Sequence, residues 1–135
     1  MPQEFYLDTA IWLDFYEKRG RNGEVALKLI EKIIDENNVI LYSDVVLREL
    51  KKLGYTQEDA DDIFRVAKPS NLRKVHLFDK QIKEASKIAK VRNVPQRDAL
   101  HAILSRDNYA QLISRDIHFE QLKDITAVKL PEDFI

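Results

Sequence analysis

Phe5-Tyr6-Leu7-Asp8-Thr9 is the stretch on which the fold turns. A short apolar run ending in Asp-Thr suits a buried strand that passes into a helix N-terminus, here continuing through Ile11 to Tyr16. Near the other end of the chain, Ala110 to Ile113 reads as another strand, and Ser114-Arg115-Asp116 follows it much as Asp8-Thr9 follows the first. No sequence repeat underlies the likeness, so the two segments share a position in the fold rather than an ancestry within the chain.

Between them, helical and extended signals alternate. Gly20-Arg21-Asn22-Gly23 is expected to break the chain, and from Glu24 the residues Val25, Leu29, Ile33 and Leu27, Ile30, Ile34 recur at helical spacing until Asn37-Asn38. Val39 to Tyr42 is the second strand. Ser43 is expected to cap a helix from Asp44 to Leu53, stopped at Gly54, and Thr56 with Asp59 caps the next, through about Ala67. Lys74 to Phe78 is a third strand, Asp79 opens a helix to about Arg92, and Pro95 precedes another through Asn108. Ile117 to Leu122 turns helically, and Thr126 to Leu130 adds a last strand. Strands separated by helices require crossovers over the sheet, so the expected fold is α/β, a three-layer α/β/α sandwich with a mainly parallel sheet of four or five strands, in a single domain over residues 1–135.

Composition narrows the chemistry. The 135 residues are 44% hydrophobic and 33% charged, with 3 Gly and 4 Pro, which argues for an ordered, helix-rich chain. A net charge of -1 argues against a general basic field for coating nucleic acid, so any such contact must be local. The absence of cysteine removes disulfides, thiolate metal sites and Cys nucleophiles. Met1 to Ala10 carries Glu4 and Asp8 and does not resemble a secretory signal, and nothing approaches a membrane span of about 20 apolar residues. A soluble, cytoplasmic protein is expected.

The acidic residues stand in places that need a reason. Ligands of parallel sheets bind beyond the carboxyl ends of the strands, where Asp8 and Asp116 lie, although each alone is explained as a helix cap or turn residue. Glu49 falls within the apolar arc of Val45, Val46, Leu50 and Leu53, so its carboxylate points inward and needs a cation, hydrogen bonds or the rim of a cleft. Asp98 opens the helix Arg97 to Asn108, where the helix dipole favours negative charge, and shares its side with Ala102 and Ser105. If these carboxylates meet, their repulsion calls for a divalent cation, and an oxygen-only set favours Mg²⁺ or Mn²⁺ over zinc. His76, His101 and His118 lack ligand spacing and are expected to be structural or solvated, and Trp12, Phe15 and Tyr16 to serve the core or a subunit contact.

Taken together, these blocks resemble the PIN-domain nucleases, particularly the VapC-like toxins of toxin–antitoxin pairs, over nearly the whole chain. Phe5 to Thr9 resembles the family's first strand and acid, Ser43-Asp44-Val45-Val46-Leu47-Arg48-Glu49-Leu50 its second block, Asp98-Ala99-Leu100-His101-Ala102 its third, and Leu112 to Phe119 its last. Ser114 stands where Thr is commoner, and Ala10 where Asn or Ser is usual. The resemblance implies that Asp8, Glu49, Asp98 and Asp116 ligate one or two metal ions, directly or through water, with Thr9 and Ser114 orienting them. It further implies metal-assisted in-line attack of water on an RNA phosphodiester, a 3′-hydroxyl leaving group and no covalent enzyme intermediate. Arg97 and Arg115, each beside a proposed ligand, are then expected to hold flanking phosphates of single-stranded RNA, although both could pair with surface carboxylates instead.

Other expectations follow from the same resemblance: a homodimer, and an antitoxin that inserts near the acidic cleft, with the helical hairpin Asp44 to Ala67 as its groove. Rival readings are a housekeeping RNA-processing nuclease and a noncatalytic PIN-like module that binds protein or RNA. An aspartyl-phosphate enzyme is disfavoured, because Asp8 is followed by Thr9 and Ala10 and not by the second Asp of an Asp-x-Asp pair.

Overall fold

Side-chain alternation on the central strand divides the interior in two. Phe5 and Leu7 pack into one apolar cluster and Tyr6 into the other, so the strand Glu4–Leu7 (β1) is covered on both faces. The computed structural model describes residues 2–135, so Met1 of the expected domain and N-terminal stretch lies outside the described residues. After β1 come helices Thr9–Tyr16 (α1) and Gly20–Asp35 (α2), strand Val39–Ser43 (β2), and helices Asp44–Lys52 (α3) and Gln57–Phe64 (α4). Then follow strand Leu72–Val75 (β3), helices Asp79–Arg92 (α5) and Gln96–Asp107 (α6), and strands Gln111–Ile113 (β4) and Val128–Lys129 (β5), with a 3₁₀ helix Ile117–Leu122 between the last two.

The sheet order is β3-β2-β1-β4-β5 and every pairing is parallel, with Tyr6 opposite Leu41 on one side and Leu112 on the other. Residues of α1, α2 and α4 pack with Phe5, Leu7, Ile40 and Ile113, whereas residues of α5, α6 and the 3₁₀ helix pack with Tyr6, Leu41 and Leu112. This is the three-layer sandwich expected from the alternation of elements. The chain leaves β1 toward β2 and later returns to its other side at β4, so the strand order reverses between β1 and β4, and a crevice opens beyond their carboxyl ends.

Several local expectations are corrected. Gly20 to Gly23 does not break the chain: the turn is completed earlier, with Lys18 and Gly20 at positive φ (53° and 56°), and Gly23 lies inside α2. The third strand is Leu72–Val75 and not Lys74 to Phe78, because Asn71 donates to the Asn38 carbonyl (2.8 Å) and starts the pairing early. Residues 76–78 then leave the sheet, and the Phe78 amide bonds the Gln81 side chain (2.8 Å) at the start of α5. Ser43 precedes α3 but its hydroxyl makes no cap; it turns to Tyr6. Thr56 and Asp59 do form the reciprocal capping box on α4. Trp12 is fully buried against Phe64, edge to face at 4.9 Å.

Gly23 lets α2 lie close against the backbone of α1 and the turn after it, since a Cβ there would sit 2.6 Å from the Asp14 carbonyl oxygen and 3.0 Å from the Lys18 carbonyl carbon, both backbone atoms. Gly23→Ala is therefore expected to destabilise the chain by about 1–3 kcal/mol, the usual cost of overpacking. Urea unfolding checks this: the midpoint should fall with an unchanged slope.

Candidate active site

The crevice at the strand reversal collects the acidic residues. Asp8 follows β1, Asp116 follows β4, Glu49 projects from the middle of α3, and Asp98 sits in the first turn of α6. All four line one cavity of about 320 Å³, together with Thr9, Ala10, Arg19, Arg97 and His101.

The carboxylates are held in different ways. Asp8 is buried; one oxygen accepts the Ile11 amide (3.1 Å) and caps α1, and the other accepts the Ser114 hydroxyl. Ser114 in turn accepts the Asp116 amide (3.0 Å), so a single hydroxyl joins the ends of β1 and β4. Burial pushes the Asp8 carboxyl above the usual carboxylate range, against the pull of its two hydrogen bonds. Burial acts in the same direction on Glu49 but is outweighed there: His101, Thr9 and Arg97 together bring its carboxyl below its ordinary value. Oε1 of Glu49 lies 2.6 Å from His101 Nε2 and accepts the Thr9 hydroxyl at 2.9 Å, while Oε2 has Arg97 Nε at 3.6 Å.

Asp98 has less support. It is buried, and burial reinforced by the Asp116 charge raises its pKa to about 6, despite nearby Arg97, His101 and His118. His118 Nδ1 lies 2.8 Å from Asp116 Oδ1 and 3.3 Å from Asp98 Oδ2, in directions that complete no hydrogen bond. Asp98 Oδ2 and His118 Nδ1 are thus both buried without a hydrogen-bond partner among the described residues. Asp98, Asp116 and His118 each bring a ligand atom within 4.8 Å of the others. An orphaned carboxylate oxygen beside a second carboxylate and an imidazole nitrogen is a donor set that fits a divalent cation.

One histidine, His118, corrects the reading of the sequence, and a second, His101, is structural as expected but at the site. His118 joins the acidic pair, and His101, buried in α6 one turn after Asp98, contacts Glu49; only His76 stays exposed and apart. The signal for His101 was its i+3 spacing from Asp98, which sets the two side by side on a helix. Arg115 is also corrected: it does not line the cavity, and its guanidinium pairs with Glu132 (2.9 and 2.7 Å). Arg97 does line it and remains largely exposed. Ser105, expected on a fitted face of α6, bonds back to the His101 carbonyl (2.8 Å).

Residues 5–125 match the family model described as PIN domain. The chain belongs to the PIN domain family. No curated protein matches it. Among solved structures, this PIN domain is similar to VapBC2 from Rickettsia felis bound to a DNA fragment from their promoter, with 20% identity, 95% of this chain and 98% of that one covered, and a TM-score of 0.70. It is similar to VapBC-1 from nontypeable Haemophilus influenzae at 15% identity, covering 96% and 99%, with a TM-score of 0.68. A toxin-antitoxin complex from Klebsiella pneumoniae matches at 18% identity, covering 94% and 97%, with a TM-score of 0.58. At these identities the likeness is one of fold.

The raised Asp98 pKa makes a prediction with a definite sign. Below about pH 4 the group is protonated whether the chain is folded or not; between its unfolded value and about 6 the folded state holds the proton more tightly, so raising the pH destabilises the metal-free fold. In EDTA, Asp98→Asn is expected to be more stable than wild type at pH 7 by on the order of 2 kcal/mol, an advantage that vanishes toward pH 4. Thermal melts at both pH values check this, and added Mn²⁺ at pH 7 should raise the wild-type Tm and leave the Asn variant nearly unmoved.

Proposed function

We propose that this PIN domain is a metal-dependent endoribonuclease acting as the toxin of a toxin–antitoxin pair. The observation that carries the reading is the convergence of Asp8, Glu49, Asp98 and Asp116 on one cavity, with an Asp98 oxygen left buried and unpartnered. Asp98, Asp116 and His118 would hold Mg²⁺ or Mn²⁺, and Asp8 and Glu49, across the same cavity, would complete the ligand set directly or through water. When bound, such an ion supplies Lewis-acid polarisation of a phosphodiester and its attacking water.

The chain's own residues do the positioning. Ser114 keeps Asp8 and the Asp116 backbone in register, and Thr9 with His101 holds Glu49. Arg97, which lines the cavity and is largely exposed, would meet a phosphate that the carboxylates alone would repel. A neighbouring cleft of about 540 Å³ shares Glu49, Leu53 and Arg97 with the cavity and adds exposed Arg48 and Lys52, one helical turn apart on α3. That cationic edge suits the next phosphates of a single strand, and it supplies locally what a net charge of -1 does not supply globally.

The toxin assignment draws on the similar complexes and on a groove of about 480 Å³ between α3 and α4, lined by Leu47, Leu50, Lys51, Tyr55 and Ala60, which would seat an antitoxin segment. The homodimer and the cytoplasmic location belong to the same proposal. Among the described residues no helix is long and apolar enough to cross a membrane. Light scattering of the purified protein tests the dimer.

The decisive experiment is cleavage of end-labelled single-stranded RNA with Mg²⁺ or Mn²⁺, with and without EDTA. Wild type should cut only with metal, and Asp8→Asn and Asp98→Asn, purified identically, should lose more than about 100-fold, beyond the loss usual for groups behind a metal's ligands. Equal activity in all samples would betray a contaminant and defeat the site. For RNA binding, Arg48→Gln with Lys52→Gln is expected to reduce the slope of log K against log salt by about 1.4, two single-strand phosphate contacts. The same double change at Lys83 and Lys87 on α5 should leave the slope alone.

A further inference from the structure

Behind the cavity runs a string of buried polar groups that packing alone does not require. Ser43, Tyr6 and His101 are 0, 0 and 2% exposed, on three different elements: the end of β2, the middle of β1, and α6. The Tyr6 hydroxyl lies 2.6 Å from Ser43 Oγ and 2.7 Å from His101 Nδ1, and His101 Nε2 lies 2.6 Å from Glu49 Oε1. Apolar residues of the same shape would fill that space without the desolvation cost of three polar groups.

Hydrogen-bond accounting orients the string. The Glu49 carboxylate only accepts, so His101 Nε2 carries a proton toward it. The Tyr6 phenol, with one proton and two partners, donates to Nδ1 and accepts from Ser43, which leaves each of these groups satisfied. Glu49 Oε1 therefore has two protein donors, His101 and Thr9, whereas the one group near Oε2 is Arg97 at 3.6 Å. The terminal torsion of a glutamate is broad and nearly two-fold, so without such anchors its oxygens would exchange places readily.

We propose that His101, held from behind by Tyr6 and Ser43, is a positioning residue that commits Oε1 of Glu49 to the protein and leaves Oε2 as the only oxygen this carboxylate offers to the cavity. Because Tyr6 lies on the central strand, and because α3, which adds residues to both clusters, packs directly against α6, the string also sets the spacing between α3 and the first turn of α6, which carries Asp98. Its consequence for catalysis rests on the nuclease reading; the bonding itself does not.

Two independent measurements test it. In the metal-free protein, NMR should show a proton on His101 Nε2 that exchanges slowly with water, and an unprotonated Nδ1; Tyr6→Phe should speed that exchange. In RNA cleavage, His101→Leu should lower kcat by about 10–100-fold with little change in KM, and should shift Mn²⁺ affinity measured directly by calorimetry. His101→Gln, whose amide N–H points the same way, should recover most of both. An Nε2 proton exchanging as fast as that of exposed His76, or wild-type kcat and Mn²⁺ affinity in folded His101→Leu or Tyr6→Phe, would overturn the proposal. Failure of the wild type to cut RNA would instead overturn the nuclease reading, while the imidazole resonance still decides the positioning.

Discussion

The Ser114 hydroxyl bonded to Asp8 ties the ends of the two adjacent strands between which the sheet reverses its order. A carboxylate taken out of water must be compensated, and here the compensation is built from the backbone geometry of the strand ends. Asp8 is satisfied by the first turn of α1 and by Ser114, and Ser114 is fixed by the Asp116 amide. The Ser114–Asp8 bond, which alone of these crosses between the strand ends, requires β1 and β4 to be neighbours in parallel register, so the topology and the acidic site depend on each other. With β1 covered on both faces, a ligand can reach it only at its ends, and in a parallel sheet the carboxyl end at the strand reversal is where the loops and acidic residues gather.

The parts of the fold that were legible in the sequence are those decided by local chemistry. The Asp-Thr after Phe5 to Leu7, the Thr56 and Asp59 capping box, and the apolar period of α2 each state their structure within a few residues. The convergence of the four acidic positions was legible because an inward carboxylate at Glu49 needs compensation, and because acids after two strands lie where a parallel sheet opens to a ligand, even though Asp8 and Asp116 also serve as helix caps. What the sequence did not disclose depends on partners distant in the chain. The strand Leu72–Val75 starts early because Asn71 finds the Asn38 carbonyl, 33 positions away, and Ser43 abandons its expected cap because Tyr6 is within reach. Gly23 resembles a breaker until α1 is placed against it.

His101 was hidden for a related reason. Residues 98 to 105 of α6 are all buried, since the helix packs on the sheet with one face and against α5 and the 3₁₀ helix with others. A helix covered on several sides has no polar face to serve as reference, so periodicity cannot separate a histidine in the core from one at a site. Arg115 erred in the opposite direction: adjacency to Asp116 suggested a place in the cavity, but consecutive residues in an extended segment diverge, and Arg115 turned to Glu132. Fold likeness at 15 to 20% identity fits this picture, because a layered sheet of this order constrains mainly the pattern of apolar positions.

The two halves of the cavity differ in how completely the protein answers their charge. Asp8 and Glu49 receive defined donors, and Glu49 ends with its carboxyl pulled below the ordinary range. Asp98 and Asp116 meet beside a misaligned His118 ring nitrogen; Asp116 keeps one backbone donor, the His118 amide (2.9 Å), whereas Asp98 Oδ2 has none among the described residues and the Asp98 pKa rises to about 6. A fold able to build the Glu49 arrangement could have supplied a donor to Asp98 as well; an asparagine or a well-aligned hydroxyl would suffice. Leaving that oxygen unpartnered costs stability. The arrangement makes physical sense when the missing partner comes from outside the chain, with the satisfied half serving as a rigid wall against which a cation and a phosphate are held.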